Sequence, residues 1–253
     1  MTRTRRATVA MLLVGLAIFS SLYSTQAILP TLVRNMGLSS TEAAMTVSAA
    51  TGALALCVVP ASILSERFGR GRILLISAVA ATGVGLIVPL AQEGWQLIVV
   101  RGLQGALLSG APATAMAWLS EELDDKALPR AMGLYIAGTS VGGLTGRLIP
   151  TGLVEISTWR WALFGSALVS LAFAITSWLL LPAQRNFRPK SIHLKTESRA
   201  LLGHWANRDL ALLFLTAFLS MGTFVSMYNF LTFRLIDDFG LAPSLAGLAF
   251  LFY

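Results

Sequence analysis

Long unbroken apolar runs separated by short polar stretches set the plan of this chain. The runs cover residues 7–29, 43–64, 73–91, 96–119, 131–153, 160–182 and 210–233. Each is near the ~20 residues that a helix rising about 1.5 Å per residue needs to cross a hydrocarbon core of about 30 Å. The runs are continuous rather than alternating, which argues against barrel strands. A backbone in lipid must satisfy its own hydrogen bonds, so each run is predicted to be a helix. An eighth run starts near Pro243. With about eleven residues it is too short to cross alone.

The predicted fold class is an all-α polytopic membrane protein. Residues 1–182 form a six-helix transmembrane bundle. Residues 183–208 form a basic linker, and 209–253 hold helix 7 and a truncated start of helix 8. Composition agrees: 55% of residues are hydrophobic and 12% charged, about half the charged share of a soluble domain. The basic start followed by an apolar core resembles a secretory leader. The run from Ala7 to Leu29 exceeds the usual 7–15 residues of a leader core. An uncleaved first helix is therefore expected, with a cleaved leader as the alternative.

Charge then fixes the expected orientation. The net charge of +7 is carried by loops, not by a nucleic-acid-binding face, and no nucleic-acid partner is expected. Arg3, Arg5 and Arg6, then Arg67, Arg70 and Arg72, then Lys126 and Arg130, then the 185–208 cluster all fall on one side. The other side has Arg34, Arg160 and Arg234. Basic loops stay inside, so the N-terminus is expected in the cytoplasm. The linker segment 198–205 reads either as a surface helix touching the interface through Leu201, Leu202 and Trp205, or as a solvated basic stretch.

A weak internal repeat accompanies that boundary. Shifting the chain by 203 positions lays Gly37-Leu38 on Gly240-Leu241 and Gln26 on Asn229. Parallel repeats of this kind occur in transporters built from two six-helix halves.

Enzyme chemistry finds little support. The spans contain no paired acids, no Ser/His/Asp set and no metal-ligand spacing, so neither a catalytic residue nor a metal or other cofactor is expected. Cys57 has no second cysteine to pair with, and His193 and His204 stand in one polar segment. Glu42 follows Ser39 by three residues, the spacing of a capping box. Glu121, Glu122, Asp124 and Asp125 read as a solvated loop cluster.

Three stretches carry a family resemblance. "SILSERFGRGR", Ser62 to Arg72, resembles the loop between helices 2 and 3 of the major facilitator superfamily, Gly-x-Leu-Ala-Asp-Arg-Phe-Gly-Arg-Arg. Leu64, Arg67, Phe68, Gly69 and Arg70 match, Glu66 replaces Asp, Ser62 the first Gly, and Gly71 the second Arg. Without the resemblance the stretch is a topogenic arginine cluster with glycines for a tight reversal. "RGLQG", Arg101 to Gly105, resembles the Arg-x-x-Gln-Gly of the superfamily's proton-coupled exporters. A membrane arginine is costly and must face a cavity or a partner; bonding to carbonyls of kinked neighbours is the plainer reading. "GLYIAGTSVGGLTGR" is similar to the antiporters' glycine-rich helix 5. Gly138, Gly142 and Gly146 fit, Gly143 replaces Pro, and Arg147 replaces Gly. Spaced small residues permit close helix approach, and Arg147 is either a deep charge or a side chain snorkelling to the interface.

The resemblance implies a permease of the twelve-helix drug- or arabinose-efflux type, moving a small molecule by alternating access, with proton-coupled efflux and a proton gradient as energy source. Tyr23, Gln26, Arg101, Gln104 and Asn229 are the expected cavity or coupling groups. Glu66, Arg67, Gly69, Arg70 and Arg72 are the expected cytoplasmic gate. The deep ionisable groups are basic, so a neutral or anionic substrate is expected. The alternative is a truncated fragment or half-unit without transport of its own, the half-unit needing a complementing C-terminal half.

Overall fold

A computed structural model describes residues 1–189, 203 and 206–252. Among them every regular element is helical: α1 (Arg3–Tyr23), α2 (Leu29–Met36), α3 (Ser40–Phe68), α4 (Arg70–Gly85), α5 (Gly94–Leu108), α6 (Gly110–Glu122), α7 (Leu128–Ile156), α8 (Trp159–Leu180), α9 (Arg208–Phe233) and α10 (Pro243–Leu248). The protein is an all-α polytopic membrane fold. The surface-helix reading of 198–205 and both histidines' surroundings lie outside the described residues.

Two expected spans are broken helices. The first is α1, a 3-10 turn at Gln26–Ile28, and α2 in succession, so it runs well past residue 29. The fourth is α5 and α6, which meet at Ser109. There the Ser109 hydroxyl donates back to the Ala106 carbonyl at 2.7 Å. A Cβ on Gly110 would stand 2.8 Å from Ser77, whose hydroxyl in turn donates to the Leu107 carbonyl. A Ser-Gly pair with a side chain inserted into the ladder is a recognised cause of a kink.

Helix 1 is the centre of the bundle, wrapped by α7 and α8. Its approach to α7 is set by glycines. A Cβ on Gly15 would lie 2.8 Å from the Tyr135 carbonyl, and one on Gly142 would lie 2.8 Å from the Gly15 carbonyl. Gly138 meets the Leu12 backbone and Gly146 the Ser20 backbone in the same way. Neighbouring backbone cannot retreat as a side chain can, so larger residues would force the helices apart.

Each end of the bundle is tied separately. At the arginine-rich end, Arg6 donates to the Leu179 and Leu180 carbonyls and Arg3 to the Ala183 carbonyl, so cations cap the C-terminus of α8. At the other end, Ser39 and Glu42 form both legs of the predicted capping box at the start of α3. Arg160 donates to the Ala91 carbonyl at 2.7 Å and to that of Pro89.

Candidate functional site: the break in helix 1 and the repeat axis

The ladder of α1 stops at Tyr23, which leaves the carbonyls of its last turn without intrahelical partners. Arg101, fully buried on α5, takes them. Its Nη1 donates to the Ser21 carbonyl at 2.9 Å and its Nη2 to that of Leu22. Its Nε donates to Thr46 of α3 at 3.3 Å. Gln104 accepts from the same guanidinium at 2.5 Å and donates to the Ser21 hydroxyl at 2.7 Å and the Ala81 carbonyl at 3.2 Å. Arg101 and Gln104 thus fasten α3, α4 and α5 to the open end of α1. A planar five-donor cation suits that task, and its charge complements the helix C-terminus.

On the other side of the break a second group forms. Gln26 Nε2 donates to Asn229 Oδ1 of α9 at 2.6 Å, and Gln26 Oε1 accepts from Arg147 Nε at 2.8 Å. Arg147 Nη1 donates to the Gly143 carbonyl at 2.8 Å. The guanidinium lies 4.2 Å from the Tyr23 ring centroid, 5.0 Å from that of Phe250 and 5.7 Å from that of Tyr228, within reach of cation–π attraction. Arg147 is only 2% exposed, so the snorkelling reading does not describe it.

The five cavity candidates therefore divide. Tyr23, Gln26 and Asn229 come together around Arg147, while Arg101 and Gln104 stand behind the break. Tyr228 and Phe250 escaped the sequence reading: Tyr228 sits beside Asn229, and Phe250 lies in a run whose apolar pattern carries no mark of a cage.

Gln26 and Asn229 are the pair matched by the 203-residue shift. The same shift relates Arg34 to Asp237, which form an ion pair at 2.7 Å. It also relates Gly37 to Gly240, which cap their helices at φ +68° and +65° by donating to Val33 and Ile236. Residues related by a twofold can touch only if they lie near its axis, so a repeat built on this shift has its axis between the 26–37 and 229–240 segments. Two further contacts close this end: Thr151 of α7 packs on Gly247 of α10, and the Ser244 amide donates to Glu155 at 2.9 Å. Hydrogen bonding from the Ser244 side chain, and then from its amide, holds the Glu155 carboxyl below its ordinary range.

At the opposite end the gate motif is assembled. Gly69 turns the chain at φ +101°. Arg70 pairs with Glu121 at 2.5 Å and with Glu66 at 3.4 Å, and Arg67 lies 5.5 Å over the Phe68 ring. Gly71 supplies no unusual φ. Its amide donates to Gln184 at 3.2 Å, and it leaves room for Trp118. Arg72 is exposed, without a partner among the described residues. The solvated-cluster reading of Glu121 and Glu122 is corrected. The Glu122 carboxylate is buried and accepts from Arg3 at 2.6 Å and from the Arg185 and Asn186 amides at 2.7 Å. Its partners lie more than sixty positions away, so a local reading saw only acids in a loop. Among the described residues no cluster of His, Cys, Asp and Glu could hold a metal.

Known proteins resemble the chain in sequence and in fold. The chain is 35% identical over 98% of its length to the inner membrane transport protein YnfM of Escherichia coli, covering 60% of that protein. It is 33% identical over 92% of its length to the uncharacterized MFS-type transporter YybF of Bacillus subtilis, covering 57% of it. The chain thus spans less than two thirds of the length of these relatives. A bacterial homologue of the lysosomal transporter Spinster superposes with a TM-score of 0.78 at 16% identity, over 98% of this chain and 59% of that one. The profile of the Major Facilitator Superfamily matches residues 11–253, and the chain belongs to that superfamily.

Proposed function

We propose that this chain takes part in transmembrane transport of a small neutral or anionic molecule by alternating access, in a bacterial inner membrane with its N-terminus in the cytoplasm. The observation that carries the reading is the contact between repeat-related residues, Gln26 with Asn229, at the broken centre of helix 1. A carrier of this kind binds its substrate between two repeats that rock about one site. A site on the axis is the place both halves can reach. Contacts of Arg34 with Asp237 and of Glu155 with Ser244 support a closed state at that end. Between α1 and α7 at the arginine-rich end there is an open recess lined by Thr4, Arg5, Thr8, Lys126 and Arg130, consistent with access from the cytoplasm.

Arg147 and Arg101 are the deep charges of the described spans, which favours a neutral or anionic cargo over a cationic one. Proton-coupled efflux follows from the resemblance of Arg101–Gly105. In this chain Arg101 would serve it by holding the end of helix 1 in place. The alternative is a half-unit that needs a complementing C-terminal half. It is favoured by the wide apolar exposure of α9, where Phe218 is 73% and Leu213 61% exposed. Reconstitution in proteoliposomes with an imposed proton gradient separates the two. Gradient-driven uptake or release of organic anions by this chain, lost in Arg147→Gln, supports the carrier. Flux that appears only when residues supplying a second half are added supports the half-unit.

A further inference from the structure

We propose that the cavity beside Gly71 is a binding site for the phosphate of an anionic phospholipid in the leaflet at the arginine-rich end. The cavity has a volume of about 380 Å³ and lies where the ends of α3, α4, α6 and α8 meet. Three observations give it a chemistry.

First, it holds an unanswered donor. Trp118 is fully buried, and its indole Nε1 has no hydrogen-bond partner among the described residues. A buried donor left unmade costs free energy, so such groups call for an explanation. The indole nitrogen donates only and requires an acceptor. The nitrogen edge of the indole lies against Gly71 on the cavity wall, where a Cβ would stand 2.9 Å from Nε1. This is also the position where the resembling loop pattern carries a second arginine and this chain has glycine.

Second, the lip of the cavity is cationic. Arg72 lines it, is exposed, and has no partner among the described residues. The nearby acids are engaged: Glu121 by Arg70 at 2.5 Å and by Gln184 Nε2 at 3.1 Å, and Glu66 by Arg70 at 3.4 Å. Gln184 Oε1, a side-chain acceptor on the wall, receives the Gly71 amide at 3.2 Å and not the Trp118 indole.

Third, the remaining wall is apolar. Phe68, Leu75, Leu181 and Phe187 line it. An anion with an attached acyl chain matches a donor, a cation and an oily wall at a helix end; a free anion would use only the first two. Basic pockets between transmembrane helices at this level bind anionic headgroups, and a guanidinium with an indole N–H offers converging donors to phosphate oxygens.

The test is quenching of tryptophan fluorescence in the purified chain, in mixed micelles containing brominated phosphatidylglycerol or brominated phosphatidylcholine. The part lost in Trp118→Phe reports the site. Phosphatidylglycerol is expected to quench it at a mole fraction on the order of tenfold lower than phosphatidylcholine. Arg72→Gln, an exposed change that leaves the core untouched, should erase that preference, and this holds on total fluorescence if Trp118→Phe does not fold. Equal quenching by the two lipids would overturn the proposal. So would an undiminished preference in Arg72→Gln, or displacement by inorganic phosphate, which would assign a free anion instead.

Discussion

Helices α1 and α9 occupy corresponding places in the repeat, yet they live in different surroundings. Along α1, most residues from Ala7 to Leu22 are buried and the rest half-buried, packed chiefly against α7 and α8, and glycines set the spacing. Along α9 only Tyr228, Asn229 and Thr232 are buried; Phe224, Leu231 and Phe233 are half-buried against the bundle, while Leu212, Leu213, Leu215, Phe218 and Leu219 face outward. What the two helices share is the end near the axis: an amide pair, an ion pair and matching glycine caps. The comparison separates two layers of the fold. Axial contacts belong to the repeat, and lateral packing belongs to the half-bundle around each helix. An apolar face is evidence of a lipid or protein neighbour, and in α9 the described neighbours cover little of it.

Glycine substitutions sharpen that contrast most. Gly15→Val should drive a branched side chain into the α7 backbone and cost about 3 kcal/mol or more, the upper range for overpacking. Gly222→Ala on α9, where nothing lies within 4 Å, should be neutral or add about 0.5–1 kcal/mol through helix propensity. Unfolding in detergent followed by circular dichroism reads both. A similar cost at the two sites would mean that α9 is packed as tightly as α1.

Next comes the fastening of the break. Arg101→Ala strands several carbonyls and should cost about 3 kcal/mol, the scale of a charge-assisted hydrogen bond. Arg101→Lys should restore little of it, because an ammonium cannot fork between Ser21, Leu22 and Thr46. Full recovery with lysine would show that charge alone matters.

The axial contacts should be smaller. A double-mutant cycle on Gln26→Ala and Asn229→Ala should give a coupling of about 1 kcal/mol. The Arg34–Asp237 pair has both side chains more than half exposed. It should contribute under about 1 kcal/mol, fading as salt rises.

The weakest effect is one of pH. The carboxyl of Glu155 is held below its ordinary range by the Ser244 hydrogen bonds. The docked α10 is therefore favoured above the ordinary glutamate pKa, and that advantage fades as pH falls through the lowered value. Hydrogen exchange at Ser244 should speed up on acidification, and Glu155→Gln should flatten the dependence. An unchanged profile in Glu155→Gln would place the titration elsewhere.

How much of this was legible depends on the range of each interaction. The spans, the Ser39–Glu42 cap and the 203-residue shift are written in local pattern and composition. The shift rested on few identities, and the touching of its members gives it physical meaning. The hinge at Ser109 depends on Ser77 from another helix, so the fourth span read as one run. Glu122 was misread because its partners are Arg3 and the 185–186 amides, joined only after folding. Arg147 was seen as a charge on a glycine helix. Its place beside Gln26 under three aromatic rings requires α1, α7, α9 and the segment after α10 to meet. Gly71 was read as a turn glycine, but its role is to leave room for Trp118.

Cysteine cross-linking tests the axis most directly. Cys57, the chain's only cysteine, is replaced by serine, and Arg34→Cys is combined with Asp237→Cys. The account predicts rapid linking of this pair by a short bifunctional thiol reagent, which spans what a direct disulfide would not, and only background linking for Arg34→Cys with Leu213→Cys at the far end of α9. Equal rates for the two pairs, or none for the first, would contradict a repeat axis running between the 26–37 and 229–240 segments.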